Sequence, residues 1–149
     1  MPYPASAPAS LGQPVILGFD PGRQKCGLAV MGVDRNLFAH EVVAAERAIA
    51  TIQALRQQYP ISLLVMGDQT SARQWKQTLE TGLPDPLRLI LVDERYSTLE
   101  ARDRYWQMYP PNGLQRLLPP GMRTPPRPID DIVAILLIER YLDRLSQTL

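Results

Sequence analysis

The chain has one cysteine, Cys26, and one histidine, His40, in 149 residues. A single thiol excludes an internal disulfide framework and a cysteine-based zinc cluster. A single imidazole excludes a two-histidine metal motif within one chain. No apolar run approaches the ~18 residues that would span a bilayer. The opening stretch MPYPASAPASLGQP has neither a basic segment nor an apolar one, so it does not read as a secretory signal. Residues 1–13 are expected to form a flexible Pro-rich tail, and the protein is expected to be cytoplasmic. There is also no excess of charge: 16 basic against 15 acidic residues leave a net +1. Any attraction to nucleic acid must therefore come from a local patch.

What is present fits a single domain over residues 14–149. Proline is in excess: 15 residues, about twice the usual ~5%. It gathers in the tail and again between Pro110 and Pro128, which marks a long loop. Elsewhere hydrophobic periodicity assigns the elements. Val15–Asp20, Leu28–Val33 and Leu37–Val43 read as an antiparallel strand meander. Ala44–Tyr59 is an amphipathic helix, Ile61–Gly67 a buried strand, Ser71–Thr81 a helix and Leu87–Val92 a fifth strand. Ser97 starts a third helix, with Ser97 as N-cap and Glu100 closing a capping box. The last helix, Ile129–Leu145, is apolar nearly all round and should be buried. Right-handed crossovers place strands 4 and 5 beside strand 1. The expected fold is α/β and ribonuclease H-like: a five-stranded mixed sheet of order 3-2-1-4-5 with helices on both faces. A flavodoxin-like fold would need a helix between strands 1 and 2, where only PGRQKCG lies.

Three acidic sites fall at element ends on one edge of that sheet. Asp20 closes strand 1, followed by Pro21-Gly22 and the cations Arg23 and Lys25. Asp93-Glu94-Arg95 follows strand 5, and Asp130-Asp131 opens the last helix. Each has a bland reading alone: a capped turn, a solvated turn, a helix-dipole partner. Together they differ, because convergent carboxylates repel one another unless a cation joins them. Hard oxygen donors without His or Cys suit Mg²⁺ or Mn²⁺. Two such ions can activate a water and steady the leaving oxygen in phosphodiester cleavage.

The motifs resemble the YqgF/RuvX family of Holliday junction resolvase-like nucleases, related to RuvC in the ribonuclease H-like superfamily. The resembling segments are Phe19-Asp20-Pro21-Gly22, Gly27-Leu28-Ala29-Val30, the run Asp93-Glu94-Arg95-Tyr96-Ser97-Thr98-Leu99-Glu100-Ala101, and Ile129-Asp130 before the last helix. They span about residues 15 to 145. The resemblance implies a nuclease with Asp20, Glu94 and Asp130 as catalytic, metal-binding carboxylates, and Asp131 as a substitute or fourth ligand. It also places Arg95, Ser97 and Thr98 near the site. Two departures stand out. Strand 4 runs through Met66-Gly67-Asp68-Gln69-Thr70 straight into a helix, shortening a loop and making Asp68 a rival to Glu94. The family's basic residue after Asp-x-Gly is Gln24 here, flanked by Arg23 and Lys25.

Between Arg104 and Ile129 there are arginines at 104, 116, 123 and 127 and no acid. Arg123 and Arg127 are accordingly assigned to nucleic-acid binding, with Arg23 and Lys25, against the alternative of a solvated loop. Tyr105, Trp106 and Tyr109 read as core residues before base-stacking ones, and Cys26 and His40 as packing residues. The function expected is a Mg²⁺- or Mn²⁺-dependent endonuclease on branched DNA, such as a Holliday junction, or on structured RNA, such as precursor rRNA. The alternative is a non-catalytic nucleic-acid-binding or scaffold domain. Monomer and homodimer both remain open: a junction resolvase needs two active sites, an RNA nuclease one.

Overall fold

Five short apolar runs pair into one sheet in a computed structural model that describes residues 14–69 and 71–147. The strands are β1 (Val15–Asp20), β2 (Lys25–Gly32), β3 (Leu37–Ala44), β4 (Ile61–Gly67) and β5 (Arg88–Val92). Their order is β3-β2-β1-β4-β5, as expected from the sequence. β1 pairs antiparallel with β2 and parallel with β4, so it lies in the middle of the sheet. Four helices cover the faces: α1 (Ala48–Gln58), α2 (Ala72–Gly82), α3 (Ser97–Met108) and α4 (Asp130–Gln147). The expected tail, residues 1–13, lies outside the described residues.

Alternation along β1 feeds two cores. Val15, Leu17 and Phe19 pack with Ile52, Leu55 and Leu79 of α1 and α2. Ile16 packs on the opposite face with Val65 and with Ile132, Ile135 and Ile138 of α4. α4 lies close to the sheet because two glycines stand beneath it. A Cβ on Gly18 would collide with the Ala134 carbonyl, and one on Gly27 with the backbone joining Asp130 to Asp131. Gly27 therefore sets how near the first turn of α4 comes to the end of β1.

Several boundaries differ from the sequence reading. β2 starts at Lys25, since Lys25, Cys26 and Gly27 find partners in Ala44, Val43 and Val42 of β3. α1 starts at Ala48 after a short 3₁₀ turn, Ala45–Arg47. The capping box at Ser97 does not form. Tyr96, at φ 63°, is the N-cap of α3, Ser97 is buried, and no side chain among the described residues caps the helix. Glu100 instead reaches Arg140 of α4, Nη2 to Oε2 at 2.8 Å. The Pro-rich loop contains two 3₁₀ turns, Gly113–Leu117 and Pro120–Met122.

Candidate nuclease site

Asp20 ends β1, Glu94 lies two residues past β5, and Asp130 is the first residue of α4. All three line one cleft of about 490 Å³. Its wall also carries Lys25, Ser97, Thr98 and Arg127. Arg102 and Gln69, which sequence reasoning missed, line it too.

Asp20 is the electrostatic centre of this cleft. Burial first, then the charges of Asp130 and Glu94 and a side-chain hydrogen bond with Asp130, push its pKa up to about 8. A carboxyl group buried beside two other carboxylates stays protonated to higher pH unless a cation offsets their charge. Glu94 is also raised, chiefly by burial and by the charge of Asp68, while the backbone of Gln69 pulls the other way. Its Oε1 is buried and has no hydrogen-bond partner among the described residues. Gly67 makes room for this carboxylate, since a Cβ there would stand 2.8 Å from both Cδ and Oε1 of Glu94. Arg140 supports the same turn by donating from Nη1 to the Asp93 carbonyl at 2.7 Å.

Among the described residues, no group of three His, Cys, Asp or Glu side chains is drawn tightly enough to enclose an ion as it stands. The donor set nevertheless fits a hard divalent cation. It is all oxygen, it sets Asp20 in a buried position beside the charges of Asp130 and Glu94, and it includes an oxygen of Glu94 that is buried without a hydrogen-bond partner among the described residues.

Other residues singled out from the sequence are engaged elsewhere. Asp131 is buried at the start of α4. Its Oδ2 lies 2.7 Å from Nδ1 of His40, and its Oδ1 accepts from Nη1 of Arg127 at 3.0 Å and from its neighbour's N–H. Burial acts to raise its pKa, but the bonds to His40 and Arg127 outweigh that and hold it below the usual carboxylate range. Both oxygens are thus committed to protein partners. His40 is therefore the partner of a buried charge rather than plain packing; the demand of Asp131 for a counter-group was the signal for it. Arg127 also stacks over the rings of Tyr105 and Tyr109. Arg123 turns inward: its Nε donates to the carbonyls of Gln115 and Leu118 at 3.0 and 3.2 Å. Asp68 is exposed at the end of β4, and Arg95 is exposed and paired with Asp93. Arg23 and Lys25 are exposed and form no ion pair among the described residues.

A family model described as RuvX, Holliday junction resolvase, matches residues 14–144. The chain belongs to the RuvX family. A relative from Sulfurihydrogenibium sp., named "Putative pre-16S rRNA nuclease", is 28% identical over 88% of this chain and 91% of its own length. A relative of the same name from Coxiella burnetii is 28% identical over 86% and 92%. Among solved structures, Thermus thermophilus RuvC in complex with Holliday junction substrate aligns with a TM-score of 0.53 at 19% identity. That alignment covers 91% of this RuvX chain and 95% of RuvC. The fowlpox virus Holliday junction resolvase aligns with a TM-score of 0.55 at 14% identity, covering 88% and 99%. These likenesses bear out the ribonuclease H-like fold. Among the described residues no helix is long and apolar enough to cross a membrane.

Proposed function

We propose that this RuvX chain is a divalent-metal-dependent endonuclease that hydrolyses phosphodiester bonds in structured nucleic acid. The observation that carries the reading is the cleft shared by Asp20, Glu94 and Asp130, in which Asp20 is buried beside the other two carboxylates. Such a cluster is costly in a metal-free protein and suits a site built for positive charge. Asp20, Glu94 and Asp130 would hold Mg²⁺ or Mn²⁺, which when bound supplies a polarised water and charge stabilisation at the scissile phosphate. Asp20, on a central strand, would fix the position of that charge, and Asp130, at the start of α4, would hold the same cation. Gly67 and Arg140 hold the Glu94 turn against the β4 end. Lys25, at the rim of the cleft, is free to meet a phosphate.

The substrate class draws on two kinds of name. The family model is described by Holliday junctions and the relatives by pre-16S rRNA; both are structured phosphodiester polymers. Four-way DNA junctions and structured RNA, each incubated with and without Mg²⁺, test the proposal. Cleavage of at least one substrate that needs the metal and that Asp20→Asn abolishes is the expected result. Metal-independent cleavage, or none that depends on Asp20, overturns it.

A further inference from the structure

A second cleft, of about 730 Å³, lies across a narrow ridge from the carboxylates. Pro21 and Gln69 line both clefts, and Gln69 Nε2 donates to the Pro21 carbonyl at 3.0 Å. That bond forms the ridge. We propose that this second cleft is a subsite for an unpaired nucleotide adjoining the scissile phosphate, with Trp75 as its base platform and Arg23 as its phosphate contact. The inference rests on the nuclease reading for its biological meaning, but its binding chemistry stands separately.

The lining separates the two clefts by charge. The carboxylate cleft holds Asp20, Glu94 and Asp130, which repel a phosphate backbone until a cation is present. The described lining of the second cleft contains one cation, Arg23, and no acid. Arg23 is exposed and has no ion-pair partner among the described residues. It differs in this from Arg123 and Arg127, whose guanidinium groups are taken up by protein acceptors. A phosphate can reach it without displacing a protein contact, and a guanidinium suits that oxygen geometry.

Trp75 is half-buried on α2 and lies edge-on to Phe19, centroid to centroid 5.2 Å at 80°. The ring is therefore held by the residue immediately before Asp20. A platform fixed in this way loses little freedom on binding, and base–aromatic stacking accepts any base. Gln69 and Gln74 add amide groups that both donate and accept, so they can meet the edge of any base without selecting one. A base inside a duplex is already stacked on both faces, which restricts this subsite to an unpaired one. The volume falls within the range of ordinary ligand pockets, ~300–1,000 Å³.

The test uses the full chain without metal, so that no cleavage occurs, at low salt. Trp106→Phe leaves Trp75 as the one indole. Short single-stranded RNA, the same sequence as single-stranded DNA, and a blunt duplex are titrated separately, with indole emission and labelled-strand anisotropy as readouts. Quenching by one or both single strands, and weaker or no quenching by the duplex, is expected; which single strand binds tighter identifies the source of the unpaired nucleotide. Trp75→Leu should weaken single-strand binding by about tenfold, and Trp75→Phe should restore most of it. Arg23→Gln should weaken binding and lower its salt dependence. Equal quenching by duplex, no quenching by either single strand, or a folded Trp75→Phe protein that binds as poorly as an unfolded control overturns the subsite. Cleavage dependent on Asp20 but indifferent to Trp75→Leu removes the subsite and leaves the nuclease reading. Trp75-dependent binding with no cleavage does the reverse.

Discussion

The carboxylate of Glu94 occupies the space that a side chain on Gly67 would fill, at 2.8 Å from the position of a Cβ. The neighbour in the way is the end of a flexible side chain, so Gly67→Ala displaces it at small cost in stability. The carboxylate then leaves the position it shares with Asp20. Gly67→Ala is expected to keep Tm within a few degrees while lowering metal-dependent cleavage by at least tenfold. Gly27→Ala is the contrasting case, because there the obstacle is the backbone of Asp130. It should lower Tm strongly, by overpacking worth about 1–3 kcal/mol or more. Thermal melts and cleavage rates of the two variants check the distinction; a Gly67→Ala enzyme with normal rates would place Glu94 outside the chemistry.

Asp20 makes stability depend on pH in the metal-free protein. Its pKa rises from 3.8 unfolded to about 8 folded, so between those values the folded state holds more protons. Stability then falls as pH rises through this window and levels off above about 8. Asp20→Asn should remove this slope and raise Tm at pH 8, by at least about 1 kcal/mol or roughly 2–4 °C for a domain of this size. Mg²⁺ should stabilise the native chain, more at pH 8 than at pH 6, because metal and proton compete for the same oxygens. Melting curves across pH with and without metal read both effects. A metal shift that survives Asp20→Asn unchanged would move the ion elsewhere.

Asp131 has the opposite sign. Its carboxyl titrates below 3.8 in the folded chain because His40 and Arg127 hold its charged form. That stabilisation is complete above the unfolded value and is lost as pH falls through the folded one. Removing the carboxylate leaves His40 and Arg127 without their acceptor in a largely buried setting. Asp131→Ala should cost about 3 kcal/mol and advance acid unfolding less steeply than in the native chain. Denaturant midpoints at pH 7 and pH 4 measure it; a neutral substitution would show that the network contributes nothing.

Much of this architecture is legible in the sequence because it is carried by local patterns. β1 and β4 follow from short apolar runs with polar ends, and the sheet order from the handedness of crossovers. That the acidic sites at 20, 93–94 and 130–131 fall on one edge follows from their places at element ends, whereas the choice of Asp20, Glu94 and Asp130 among them comes from the family resemblance. The contacts that organise the site are different in kind. His40 meets Asp131 across 91 positions, and Arg140 meets the Asp93 carbonyl across 47. No periodicity encodes such pairs. Glu100 shows the resulting error: its spacing from Ser97 suits a capping box, yet a better partner, Arg140, arrives from α4. Trp75 is equally hidden, since its place against Phe19 comes from the fold rather than from its own helix pattern.

The arginines of the Pro-rich loop divide by what their guanidinium groups already hold. Arg123 donates to the carbonyls of Gln115, Leu118 and Arg116, so it fastens the two 3₁₀ turns together. Lys25 is exposed beside the carboxylate cleft and free of ion pairs among the described residues. Salt dependence separates these roles, since each phosphate contact contributes about 0.9 to the slope on duplex DNA and ~0.7 on single strands. Lys25→Gln should lower the slope by about one contact and leave Tm unchanged. Arg123→Gln should leave the slope unchanged, lower Tm, and speed proteolysis between residues 110 and 128. A lowered slope with an intact loop in Arg123→Gln would return that arginine to the nucleic-acid surface. An unchanged slope in Lys25→Gln would move the backbone contact away from the turn after β1.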